Sequence, residues 1–302
     1  MATSLTVVSA TLRSIHRYPV KSCRGESLAD AAVEPWGLAG DRRWMFVDPD
    51  GDALTAREVN GLLLVRPEET AYGVRLHAPG AEPLDVALPA GAERVTAHLW
   101  GSVLDVAVAG PDTDDWSTRV LGRPARLVHL DDPAQRPTDP RFSDADDRVS
   151  LADGYPLLVT TEASLAALDD AVLERSQETH QPAGEPLGMT RFRPNLVVAG
   201  TSAWAEDDWR RVQVGDVVLR AVKGCARCVM TTVDPDTAER GREPIASLAR
   251  IRRWDGATWF GVNLVPDLTG LPAGAPPPVV RVGDPVVVLE AAAPGGGPVR
   301  PA

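Results

Sequence analysis

The sequence predicts an α+β fold, mostly β, built from barrel-like units with a few inserted helices. Three observations carry that reading. Short apolar, β-branched runs recur along the 302 residues, and Gly, Pro or Asp closes most of them. Helical patterns occur singly between these runs, not in the alternation of a doubly wound sheet. Finally, Val212-Gln-Val-Gly-Asp-Val-Val218 echoes Val280-Arg-Val-Gly-Asp-Pro-Val286, each reading as strand, Gly-Asp turn, strand. Two copies do not make a repeat protein, but they look like two equivalent corners of a barrel.

Taken in order, Thr11 to Val20 is extended and Trp44 to Asp48 is a short apolar strand. Asp48-Pro-Asp-Gly51 is a tight-turn signal. Gly73 to Leu76 and Val103 to Val108 are further β-like runs. Asp112 to Leu121 reads as a helix, with Asp112 as cap, Trp116 and Val120 on one face, and Gly122 as stop. Trp116 reads as a core aromatic. A second unit starts at Ala125 to Leu130, followed by a charged loop from Asp131 to Val149. Leu157 to Thr161 is a strand; Glu162 to Arg175 is a helix capped by Thr161, with Leu165, Leu168 and Val172 on one face. Ser176 to Thr190, rich in Gly, Pro and Gln, reads as a mobile loop. Asn195 to Ala199 and Val212 to Val222 are strands, and Pro244 starts a short helix carrying Ile245, Leu248 and Ile251. Pro266 to Pro278 is a loop and Val279 to Leu289 a final strand pair. These elements divide the chain into domains at 11–124 and 125–290, with 291–302 as a disordered tail.

Composition narrows the function. A formal net charge of −11 argues against general affinity for nucleic acid or anionic membrane, which needs clustered Lys and Arg. It leaves room for a local cationic pocket. No apolar run is long enough to span a bilayer, and Met1 to Ala10 lacks the basic start and long apolar stretch of a signal peptide. Three cysteines, an odd and low count, suit a reducing, cytoplasmic setting.

Two of the three are Cys225 and Cys228, beside Lys223 and Arg227. A structural zinc site needs four ligands, and neither a second such pair nor a metal-like histidine spacing is present. A thioredoxin-like pair puts its first cysteine at a helix start, whereas Val229 to Val233 has strand composition. Two readings stay open: buried cysteines acting as small hydrophobes, and a thiolate held by neighbouring cations. A lone thiolate holding a metal would need a cofactor to supply the other ligands, and an anionic cofactor would need a cationic cradle.

The longer motifs bear on that point. Tyr18-Pro-Val-Lys-Ser-Cys-Arg-Gly25 and Gly40-Asp-Arg-Arg-Trp44 resemble the N-terminal β-barrel domain of MOSC proteins. Phe192-Arg-Pro-Asn195, Cys225-Ala-Arg-Cys-Val-Met-Thr-Thr-Val-Asp-Pro235 and Val282-Gly-Asp284 resemble the MOSC domain itself. The similarity runs over residues 11 to 290, and its flavour is that of the amidoxime-reducing members. It implies a molybdenum cofactor, a pterin whose dithiolene chelates the metal and which ends in a phosphate. By motif position Cys228 would complete the metal shell, and Cys225 would support it. The cofactor-binding positions would be Lys21, Ser22, Arg42, Arg193, Asn195 and Arg227, together with Asp153, Gly154 and Tyr155, where the sequence departs from the mammalian pattern. Cys23 and His16 read as packed structural residues, and Arg136 and Arg141 as loop charges, either lining a substrate entrance or, as loop charges usually are, simply solvated.

The implied function is reduction of small N-hydroxylated substrates, such as hydroxylamines, amidoximes and N-hydroxylated bases, by oxygen-atom transfer to molybdenum. A separate electron donor of flavin, ferredoxin-like or cytochrome b5-like type is expected. The chain ends at Ala302 without further cysteines, so no fused iron–sulfur cluster is expected, and no pyridoxal phosphate either. The alternative is a cofactor or sulfur carrier without turnover.

Overall fold

Nine strands hydrogen-bond into one sheet in a computed structural model that describes residues 10–293 except 183 and 273, together with 297 and 299. The sheet runs Val286–Ala291, Trp209–Val214, Val217–Ala226, Ala257–Asp267, Leu157–Thr161, Leu196–Ala199, Thr11–Arg17, Glu26–Leu28, and Arg253–Trp254 pairs with Ala257–Asp267. Only Leu157–Thr161 and Leu196–Ala199 are parallel. Parallel neighbours need a crossover, and the helix Glu162–Thr179 (α2) supplies it. Leu12 N–H donates to Asp284 O and Val286 N–H to Ala10 O, which draws the far strands of the path together and curls the sheet toward a barrel.

A second sheet orders Trp44–Val47, Arg126–His129, Ser102–Val108 and Arg94–Leu99; Arg66–Thr70, Gly73–Ala78 and Ala81–Ala87 form a meander. The large sheet buries Leu12, Ile15, Val159, Leu219 and Leu264. Full burial of each such side chain contributes roughly 1.5–3 kcal/mol. A second core gathers Val20, Trp44, Phe46, Leu62 and Leu76. Trp116 joins it, with its indole N–H donated to Glu82 O at 2.8 Å.

The mostly β, α+β reading holds. Several local expectations do not. The first helix, Pro111–Leu121 (α1), is capped by Gly110, and Pro111 takes the first helical position. Asp112 therefore lies inside the first turn, where it meets the helix dipole favourably. Helix α2 runs on to Thr179, where His180 ends it in a left-handed conformation, so Ser176 to Thr179 are helix and not loop. The third helix, Ile245–Ile251 (α3), buries Leu248 but leaves Ile251 exposed.

Ala257–Asp267 is the largest omission. This 11-residue strand lies mid-sheet, although Gly261, Asn263 and Pro266 interrupt its β pattern. The expected 266–278 loop therefore begins only after Asp267. The last two strands are not a pair: Val279–Arg281 binds Asp30–Glu34 and Val286–Ala291 binds Trp209–Val214. Nor are the two echoed segments equivalent corners. One is a hairpin within the large sheet, and the other passes between sheets. They touch, with Gly215 N–H donated to Pro285 O at 3.1 Å. Of the expected tail, Ala291 ends a strand, and residues 294–296, 298 and 300–302 lie outside the described residues, as do residues 1–9.

Val229–Thr232 is a 3-10 turn, against the strand its β-branched composition predicts. The cause is local. The Thr231 and Thr232 hydroxyls donate to Cys228 O at 3.0 Å and Val229 O at 2.7 Å. Those carbonyls are satisfied within the turn, which competes with pairing to a neighbouring strand. The strand context that weighed against a redox role for the cysteine pair is therefore absent.

Candidate functional site

Loops that precede and follow these strands converge on a pocket of about 320 Å³. Lys21, Ser22 and Arg42 reach it from the N-terminal region. Asp153, Gly154 and Tyr155 come from the loop before Leu157–Thr161, and Arg193 and Asn195 from the turn before Leu196–Ala199. Arg227 and Cys228 come from the end of Val217–Ala226. All ten expected site residues thus line one pocket, although they are spread over two hundred positions of sequence.

Three of them sit in the left-handed backbone region that non-glycine residues avoid: Ser22 at φ 65°, Arg42 at 50° and Arg193 at 56°. Each costs of order 1 kcal/mol, so the surrounding bonds must hold them. Tyr18 does much of this. Its ring is buried between the guanidinium groups of Arg42 and Arg193, 4.4 and 4.2 Å from its centroid. Its N–H donates to Asp41 Oδ1 at 2.8 Å, and Asp41 also pairs with Arg42. Arg193 Nη1 donates to Cys23 O at 2.6 Å. Buried Asn195 bridges the elements, donating to His16 O at 3.2 Å and accepting from Leu158 N–H at 3.2 Å.

In the same pocket, Lys21 is buried and donates to Asp153 Oδ1 at 2.6 Å. Burial pushes the Lys21 amine down to about 8, against the pull of Asp153. Asp153 itself is held below the usual carboxylate range: burial opposes its ionisation, but Lys21 and Arg57 outweigh that. Arg57 meets Asp153 Oδ2 at 3.0 Å and lies 4.3 Å from the Trp100 ring. Trp100 is half exposed on a hairpin tip and donates to Asp153 at 3.3 Å.

The two cysteines are partly buried and unpaired. Arg227 Nη1 donates to Cys225 Sγ at 2.7 Å and its Nη2 to Phe192 O at 2.6 Å. Among the described residues no three His, Cys, Asp or Glu side chains gather closely enough to hold a metal ion. A metal at Cys228 would therefore take its other ligands from a bound group. Cys23 is buried, which pushes its thiol up. His16 has both ring nitrogens engaged, by Ser14 and Ser27 at 3.0 and 3.1 Å, as a structural histidine does.

Arg136 is neither a solvated loop charge nor an entrance residue, whereas Arg141 is a solvated loop charge. Arg136 is buried beneath the pocket loop, bound to backbone carbonyls, and Arg141 pairs with Asp139 at the surface. Sequence reasoning also missed Arg57, Arg191 and Asn263 as lining residues. Nothing but their charge or polarity marks them in the chain.

The lining is strongly cationic in an acidic protein. Among the described residues that line it, Lys21, Arg42, Arg57, Arg191, Arg193, Lys223 and Arg227 are accompanied by one carboxylate, Asp153, while Arg42 and Arg191 also pair with Asp41 and Asp234 outside the lining. Among the described residues, several buried donors have no protein partner, namely Arg191 Nε, Arg193 Nη2, Arg227 Nε and the Tyr155 hydroxyl. Leaving such groups unpaired costs roughly 1–3 kcal/mol each. A polyanionic ligand would satisfy them, so the donor set fits a phosphate- and thiolate-bearing cofactor.

Residues 9–124 match the MOSC N-terminal beta barrel domain and residues 146–287 the MOSC domain. The chain is 32% identical to mitochondrial amidoxime-reducing component 1 of Homo sapiens, over 92% of this chain and 83% of that one. It is 33% identical to the same component of Mus musculus, over 92% and 82%. It is 32% identical to the molybdenum cofactor sulfurase of Danio rerio over 85% of this chain, which is 32% of the sulfurase. Among solved structures, the YUAD protein of Bacillus subtilis aligns over 92% of this chain and 94% of its own, at 10% identity and a TM-score of 0.40.

Proposed function

The chain belongs to the MOSC family, and from that premise we propose that it is a molybdenum-cofactor-dependent oxidoreductase that reduces N-hydroxylated compounds. The observation that carries the reading is the pocket: a cysteine set among seven cations, with orphaned buried donors suited to a polyanion. The likeness to amidoxime-reducing components over nine-tenths of the chain supports the reaction.

In this reading Arg42, Arg193 and Arg227 hold the anionic cofactor, and Tyr18, fixed between the first two, keeps them in place. Lys21 and the Asp153-Gly-Tyr155 loop line the same pocket, joined by the Lys21–Asp153 bond. The Cys228 thiolate is the protein's ligand to the metal. When bound, the group supplies a centre that accepts oxygen from an N–O bond and carries two electrons. Overall, two electrons and two protons turn N–OH into N–H and water. The electrons come from a separate donor of flavin, ferredoxin-like or cytochrome b5-like type. Three free cysteines support a reducing, cytoplasmic setting.

The test is metal and pterin analysis of protein from a cofactor-producing host, followed by benzamidoxime reduction with a chemical electron donor. The expected result is bound molybdenum with formation of benzamidine. The match to a stretch of a cofactor sulfurase favours a second reading, a carrier without turnover. Molybdenum without turnover would select it, and protein without molybdenum would overturn both.

A further inference from the structure

Four successive carbonyl oxygens, from Ser150 to Asp153, each accept from a buried cation. Arg136 Nη1 donates to Ser150 O at 2.6 Å and to Ala152 O, and its Nη2 donates to Asp153 O at 3.2 Å. Lys21 Nζ takes the remaining one, Leu151 O, at 2.9 Å.

The order of these bonds has a geometric consequence. Residues 150–156 form a continuous bend before the strand at Leu157. Ser150 O and Ala152 O turn to Arg136 and Leu151 O to Lys21. Ala152 O and Asp153 O both turn to one guanidinium. Across a trans peptide, the carbonyl and the following N–H point in opposite directions. The N–H groups of Asp153 and Gly154 therefore both point away from Arg136. Arg136 is only 4% exposed and lies under the loop, whereas Ala152, Asp153 and Gly154 line the pocket. Away from Arg136 is toward the pocket.

We propose that Arg136 is a positioning residue: by drawing in the carbonyls of Ala152 and Asp153, it presents the N–H groups of Asp153 and Gly154 to the pocket as paired donors for a phosphate-type anion. Successive N–H groups facing one way make an anion-receiving concavity. The proposal deepens the functional reading and rests on it for the identity of that anion. Arg136 itself does not touch the ligand. Its fork reaches three carbonyls at once, which the single ammonium of lysine does not reproduce.

The test is amide NMR of the full chain, made without cofactor and titrated with pyrophosphate. In the wild type the Asp153 and Gly154 amide signals are expected to move saturably. In Arg136→Met they are expected to stop moving and affinity to fall by about tenfold, on the scale of charge-assisted hydrogen bonds. Arg136→Lys keeps the charge and separates positioning from electrostatics; it is expected to bind nearly as weakly, and it carries the test alone if Arg136→Met does not fold. Wild-type binding by Arg136→Lys, or wild-type amides at 153 and 154 that do not respond, would overturn the proposal. Molybdenum is assayed in parallel. Its absence with the amide response intact would overturn the functional reading and leave the role of Arg136 standing.

Discussion

Arg227 Nη1 donates to Cys225 Sγ at 2.7 Å, so the cation between the two cysteines is committed to the first of them. Cys228 instead opens the 3-10 turn, with its carbonyl held by Thr231. The pair is chemically unequal. Cys228→Ser should lower benzamidoxime kcat/KM by more than about 100-fold, and Cys225→Ser by about tenfold, the scale of groups that support a ligand without being one. The assay is turnover normalised to bound molybdenum. Equal losses would sink this division of roles.

Burial pushes Lys21 down to about 8, so its charge fades as pH rises through that value, and it faces the pocket. Pyrophosphate affinity of the cofactor-free chain should therefore fall between pH 7 and 9.5, by roughly tenfold for the loss of one nearby charge. In Lys21→Arg the guanidinium stays charged and the fall should vanish. Titration calorimetry across that range decides it; a parallel decline in both proteins points to another group.

A methyl group on Gly25 would lie 2.4 Å from the Tyr18 ring. That ring is buried and lies against both Arg42 and Arg193. Gly25→Ala should cost about 1–3 kcal/mol by overpacking. It should also weaken anion binding, because displacing Tyr18 releases both guanidinium groups. Urea unfolding and pyrophosphate binding are read together. Lost stability with unchanged binding would show that the two arginines hold their places without the ring.

Glu206 is wholly buried beside the start of α2, and its Oε2 accepts from Ser164 and Thr161 at 2.9 and 3.2 Å. Burial raises its carboxyl from 4.5 to about 7. As pH rises the unfolded chain loses this proton first, so stability falls between about pH 4.5 and 7 and the loss is complete above that. The shift corresponds to about 3 kcal/mol at full ionisation. Glu206→Gln should raise the Tm at pH 8 and leave it nearly unchanged at pH 5. Equal effects at the two pH values would remove ionisation as the cause.

Much of the architecture was legible because burial leaves local marks. The alternating strand Thr11–Arg17, the Asp48–Gly51 turn and the Thr161 cap of α2 each depend on neighbours in sequence. Ala257–Asp267 escaped because it is buried between two strands, and Gly261 and Asn263 are there for what approaches them. Gly261 at φ 78° leaves room for Val159 O, and Asn263 donates to Gly224 O at 3.3 Å. Those constraints come from residues far along the chain.

The sequence by itself determined the mostly β class, the cysteine pair and, through its motifs, the ten residues that line one pocket. It could not assign Arg136, whose charge reads the same in a solvated loop and under a buried one. Nor could it separate the environments of Cys225 and Cys228, or show that Val229–Thr232 turns. Tertiary structure decided these points, because a side chain's role depends on which distant carbonyls and charges folding places within about 3 Å of it.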